Sequence, residues 1–185
     1  MIQNTVSVFV EGTPNPESMK FVLNKMILPN DSADYRSKED ATDSPLALEL
    51  FANPDVDGVF IMNNFVSITK KPNADWRELA LTIKEQVKSL IESGIEIVTI
   101  PQSLSEDDEN EVVFKIKQLL EEHVKPAVEM DGGAISFKSF KDGIVTVVMK
   151  GSCSGCPSST FTLKAGIENL LKRMVPEVQA VEAEI

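Results

Sequence analysis

Cys153 and Cys156 are the only cysteines among the 185 residues, and they stand as a Cys-x-x-Cys pair within Gly151-Ser152-Cys153-Ser154-Gly155-Cys156-Pro157-Ser158-Ser159-Thr160. Pro157 suits the first position of a helix, which makes Cys156 the N-cap and leaves Cys153 in the preceding loop. Unpaired N–H groups and the positive helix end then face both sulfurs, a setting that favours thiolates or an anionic metal–thiolate group. Gly151 and Gly155 let the backbone approach closely. The small Ser152, Ser154, Ser158 and Ser159 predict sulfurs left uncovered rather than packed away.

Ligand counting narrows the chemistry. An iron–sulfur cluster takes four protein ligands, mostly thiolates, and structural zinc takes four nitrogen or sulfur ligands. This chain offers two cysteines and a single histidine, His123. A complete all-cysteine site therefore needs two copies, most simply related by a two-fold axis. A cluster held in that way is exposed and labile, which suits a protein that hands its cluster on.

Two other chemistries fit the same pair. Cys-x-x-Cys at a helix start is also the geometry of a thiol–disulfide oxidoreductase, and two copies could be bridged by zinc in an adaptor. Against exchange, the strands of the N-terminal half do not lead into the motif as a βαβ unit would, and the proline follows the second cysteine instead of lying between the two. No Ser-His-Asp set, phosphate-cradling loop or paired-carboxylate constellation stands out, so no catalytic residue is assigned and no enzyme is expected. His123 reads as a helix-end residue, Trp76 as core, and Asp131-Gly132-Gly133 as a tight turn.

The elements that must position the pair form two α+β blocks. In the first, Val6, Val8 and Val10 alternate with Thr5, Ser7 and Phe9, predicting a strand. Gly12-Thr13-Pro14-Asn15-Pro16 turns the chain into a second strand at Lys20 to Leu23. Asp31 to Asp43 reads as an exposed polar loop. Ser44 and Pro45 predict a capped short helix to Phe51. Val59 to Met62 and Phe65 to Thr69 flank Asn63-Asn64 as a hairpin. A helix from Asp75 carries Trp76, Leu79, Ile83, Val87, Leu90 and Ile91 on one stripe and stops at Gly94. Ile95 to Ile100 predicts a last strand.

The acidic run around Glu106 to Glu111 marks the boundary, with Ser105 as a helix cap. Val112, Val113, Ile116, Leu119, Leu120 and Val124 form the apolar face of the next helix, which Pro126 is expected to end. Ile135 and Phe137, then Ile144 to Met149, flank Lys141-Asp142-Gly143 as a hairpin. After the cysteines comes a helix with Leu163, Ile167, Leu170, Leu171 and Met174 on its inner stripe, stopped by Pro176, and a closing strand at Val178 to Ala183. The expected divisions are a domain at 1–100, a linker at 101–108 and a helix-strand-strand-helix-strand domain at 109–185.

With 42% hydrophobic residues the chain can bury a core, and with 6% aromatics that core must lean on aliphatic side chains. The net charge of −11 is shared, with 9 basic and 15 acidic residues in 1–100 and 9 and 14 beyond. Such a chain repels phosphate, so neither nucleic acid nor an anionic membrane surface is an expected partner. The N-terminal residues show no basic, apolar signal segment, and no run approaches about 18 apolar residues. A cytoplasmic location, where thiols stay reduced, is the expectation.

The second block resembles the NifU-like C-terminal domain of the Nfu family of iron–sulfur scaffold and carrier proteins. The resemblance lies in Lys125-Pro126-Ala127-Val128-Glu129-Met130-Asp131-Gly132-Gly133 and in Gly151 to Thr160, followed by Leu163-Lys164. The first block resembles the Nfu N-terminal domain through Thr13-Pro14-Asn15-Pro16-Glu17-Ser18-Met19-Lys20-Phe21, Ser44-Pro45-Leu46-Ala47, Val56-Asp57-Gly58-Val59 and Phe65-Val66-Ser67-Ile68-Thr69-Lys70. Lys125 stands where the family often has Arg, and Asn63-Asn64 replaces a more usual glycine-containing turn. The resemblance implies a [4Fe-4S] cluster, or a [2Fe-2S] one, bound across a homodimer by Cys153 and Cys156 of each copy. It also implies upstream assembly proteins as donors and apo iron–sulfur proteins as recipients. The cysteine-free first domain is then left to dimer contact or client recognition.

Overall fold

Alternation along the N-terminal strands builds one antiparallel sheet in the computed structural model, which describes residues 5–99, 111–153 and 157–184. The chain divides into two units, Met1–Pro101 and Gln102–Ile185, each α+β. In the first, β1 (Val8–Gly12), β2 (Ser18–Leu23), β3 (Leu28–Tyr35), β4 (Val56–Asn63) and β5 (Phe65–Lys70) are ordered β1-β2-β5-β4-β3. The register pairs Phe21 with Val66 and Val66 with Ile61. These side chains share a core with Leu46 and Leu50 of α1 (Pro45–Leu50) and with Leu79, Ile83, Val87 and Ile91 of α2 (Trp76–Glu92). Both helices begin as their sequences require. Ser44 Oγ accepts from Ala47 N at 3.1 Å, and the Asp75 carboxylate accepts from Arg77 N at 2.9 Å. Trp76 is half-buried against the core, its Nε1 donating to Pro16 O at 3.0 Å.

Two expectations in this unit need correction. Part of the stretch read as an exposed loop, Asp31 to Asp43, is strand β3, an edge strand paired to β4 with a register shift between Leu28 and Ser32. Leu28 and Tyr35 at its ends anchor it in the core. The strand expected at Ile95 to Ile100 does not form over its described part. Glu96 O accepts from Leu46 N, Ile97 O accepts from Ser44 Oγ, and Thr99 N donates to Asp43 O. These residues spend their backbone groups on the start of α1 instead of on a sheet.

The second unit runs α3 (Glu111–Leu119), a π-helical turn (Leu120–Val124), α4 (Lys125–Met130), β6 (Gly133–Lys141), β7 (Ile144–Gly151), α5 (Pro157–Met174) and β8 (Ala180–Glu184). Pro126 does not end the helix as expected. It lacks the N–H for an i→i−4 bond and would clash with the preceding turn. The chain absorbs this with the π-turn and resumes as α4, keeping Leu120, Val124 and Val128 buried.

β6 and β7 form the expected hairpin around Asp142 (φ 51°) and Gly143 (φ 80°), both in the left-handed region that a primed turn demands. β8 pairs with β7 in parallel, with α5 as the crossover. The core joins Ile116, Val145, Val147, Met149, Ile167, Leu171 and Val181. Met174, expected on the inner stripe of α5, is exposed, and Val175 is buried instead. The residues expected as linker, 101–108, and the Ser105 cap lie outside the described residues.

Candidate functional site

The site begins at the C-terminal end of β7, the central strand of its sheet. Gly151, the last residue of β7, has φ 69° and stands opposite Gly133, the first residue of β6. Gly132, with φ 80°, turns the chain from α4 into β6. Two hydrogen bonds lace this turn to the cysteine loop: Ser152 N donates to Gly132 O at 3.3 Å, and Ser152 Oγ donates to Asp131 O. Ser152 is 3% exposed, so both bonds are shielded from water.

Cys153 follows and turns inward. It is 5% exposed and belongs to the core with Met149 and Val128. Its sulfur lies over Gly133: a Cβ placed on that glycine would sit 2.8 Å from Cys153 Sγ and 2.7 Å from Lys150 O. Gly133 is thus needed for space, a requirement that tertiary packing alone reveals and that the Asp131-Gly132-Gly133 motif signalled only as a turn.

Burial pushes the Cys153 thiol up to about 11; the Asp131 carboxylate adds to the rise, and a hydrogen bond with Ser152 opposes it. This corrects the expectation of an uncovered, low-pKa sulfur at Cys153. Placement beside a helix start favours the thiolate, but desolvation of a sulfur packed on a glycine outweighs it. Cys156, the other expected ligand, lies outside the described residues, as do Ser154 and Gly155. Among the described residues no group of three or more His, Cys, Asp or Glu side chains is placed to hold a metal. His123 is exposed on the π-turn.

One of the rival chemistries, thiol–disulfide exchange, meets this geometry directly. β7, α5 and β8 do form a parallel βαβ unit with the cysteine loop at its βα turn, so the argument from the N-terminal strands does not count against exchange. Cys153 itself does. An exchanging thiol is accessible and low in pKa, and the first cysteine of this pair is buried and raised.

The family described as "Scaffold protein Nfu/NifU N terminal" matches residues 8–94, and that described as "NifU-like domain" matches residues 116–182. The human protein named NFU1 iron-sulfur cluster scaffold homolog, mitochondrial, is 39% identical over 176 residues, 93% of this chain and 69% of its own length. NifU-like protein 4, mitochondrial, of Arabidopsis thaliana is 39% identical over 191 residues, 98% of this chain and 67% of its own. The Drosophila persimilis NFU1 iron-sulfur cluster scaffold homolog, mitochondrial, is 38% identical over 183 residues, 95% of this chain and 65% of its own. The chain spans about two thirds of the length of these relatives.

Their names overturn the cytoplasmic expectation, since all are mitochondrial proteins. Composition constrains the redox state and membrane affinity of the residues present, but an organelle address is read by receptors and leaves no mark on the fold. Among the described residues no helix is long and apolar enough to cross a membrane.

Proposed function

The chain belongs to the Nfu/NifU family of scaffold proteins, and from that premise we propose that it carries an iron–sulfur cluster as cargo and passes it to apo-proteins, without catalytic turnover. The observation that carries this reading is a cysteine count of two in the whole chain, with Cys153 at a βα turn directly after Ser152, which is bonded to Asp131 and Gly132. Cys153 and Cys156 are the ligands. With two thiolates per chain, a four-ligand [4Fe-4S] cluster is bound between two copies.

Each thiol gives up its proton when it binds iron. In the free chain Cys153 is neutral and covered, which protects it from oxidation while it waits for cargo. Loading turns the sulfur outward and the charge is neutralised by iron. Release restores the buried thiol, so the same packing that guards the empty site favours handing the cluster on. The cysteine-free first unit serves recognition of donors or recipients, and the names of the relatives make the mitochondrion the place to look for both.

Anaerobic reconstitution with ferrous iron and sulfide tests the reading. The expected product is a brown species absorbing around 400 nm, with the mass of a dimer, lost in Cys153→Ser and in Cys156→Ser. A colourless monomer whose two thiols merely join in a disulfide would sink it.

A further inference from the structure

We propose that Met130 and Phe161 form an apolar rim by which two copies of this chain pack around the shared site, with Glu129 of each copy facing Lys164 of the other. The proposal rests on the cluster-sharing reading above and names the surface that reading requires.

Met130 ends α4 and is 74% exposed; Phe161, in the second turn of α5, is 76% exposed. Single exposed hydrophobics are ordinary on a protein surface. These two are set apart by position. Met130 is three residues before Gly133, on which the Cys153 sulfur lies, so at most about 10 Å of chain separates them. Phe161 is four residues into the helix that opens directly after Cys156, about 6 Å along its axis. Among the described residues of this unit, the two most exposed large apolar side chains therefore stand close in the chain to the cysteine pair, on two different elements.

Charge says what covers them. A chain of net charge −11 repels its own copy, so a self-contact needs local complementarity. Glu129 and Asp131 flank Met130, whereas the first turn of α5 has no acidic residue and Lys164 lies one turn beyond Pro157 to Thr160. A two-fold contact that sets Met130 of one copy against Phe161 of the other brings Glu129 to Lys164 twice. Phe161 and Lys164 also wall a shallow groove of about 250 Å³ with Ala165, Glu168 and Asn169. That is below the roughly 300–1,000 Å³ of a small-molecule pocket, and it suits an inserted side chain such as Met130.

The test uses the full chain, loaded anaerobically with iron and sulfide, in a sedimentation-velocity dilution series, with cluster release to a chelator timed in parallel. Met130→Asp and Phe161→Asp are expected to keep the wild-type circular dichroism, because both side chains are exposed. Each should raise the dimer Kd on the order of tenfold and shorten cluster lifetime. Glu129→Lys and Lys164→Glu should each weaken the dimer, and the double exchange should restore it. A wild-type loaded dimer whose variants keep the same Kd and lifetime overturns the rim, and so does a variant set that slows only transfer to an apo acceptor, which would make the surface a client dock. A wild-type chain that loads no cluster at all fails at the underlying reading, and the rim falls with it.

Discussion

The Cys153 sulfur rests on the Cα of Gly133, so closely that a single added methyl group would stand 2.8 Å from it. The contact joins the turn that opens β6 to the loop that closes β7, and the same two segments are tied by Ser152 to Asp131 and Gly132. The position of Cys153, the first of the two proposed ligands, is therefore set by Asp131, Gly132 and Gly133, far earlier in the chain.

Gly133→Ala tests that dependence. The new Cβ meets backbone at Lys150 O as well as the sulfur, so relief by a side-chain rotation alone is impossible. Overpacking of this kind costs about 1–3 kcal/mol. The expected outcome is a folded protein with a lower Tm and a loaded cluster that bleaches faster than wild type. Unchanged melting and unchanged cluster lifetime would show that the glycine is there for the turn alone.

The thiol of Cys153 makes a second prediction, read in Cys156→Ser so that one sulfur reports. Its value is raised from 9.0 to about 11, so the fold favours the neutral form. The stabilisation from this group is complete below about pH 9 and is lost as pH rises through 11. At pH 8 the folded chain then holds about a hundredfold less thiolate than the unfolded chain. Alkylation by iodoacetamide should be slower by at least that factor in native buffer than in denaturant. Equal rates would mean that the sulfur is neither buried nor raised.

Ser44 offers a third, in the first unit. It is fully buried, and its hydroxyl accepts from Ala47 N while donating to Ile97 O. Ser44→Ala leaves one donor and one acceptor without their partner, at a cost of about 1–3 kcal/mol. Calorimetry should show a lower transition for this unit, with cluster loading unaffected because the second unit contains both cysteines. Loss of loading would mean that the first unit is required for the site.

How far these features were legible in the sequence follows from how local their causes are. Helix starts, hairpins and helix stripes were readable at Ser44, Asp75, Asp142-Gly143 and Ile167, where neighbouring residues decide the outcome. β3 was not readable, because an edge strand needs only Leu28 and Tyr35 in the core and one partner strand, and its Asn30, Asp31, Ser32 and Asp34 look like a loop. Ile95 to Ile97 have strand composition, but the carbonyls of Glu96 and Ile97 accept from Leu46 N and Ser44 Oγ at the start of α1. Pro126 signalled a stop, and the π-turn allowed the helix to continue because Val128 had a core to reach. At the site, the motif singled out Cys153 and Cys156, while the state of Cys153 depended on Gly133 and on burial, both products of long-range packing.

The shared cluster is the central claim, and native mass spectrometry of the anaerobically loaded protein measures it most directly. The account predicts a single dominant species of two chains carrying four irons and four sulfides, absent when either Cys153 or Cys156 is replaced by serine. A loaded species containing one chain, or a dimer held by zinc without sulfide, would contradict it.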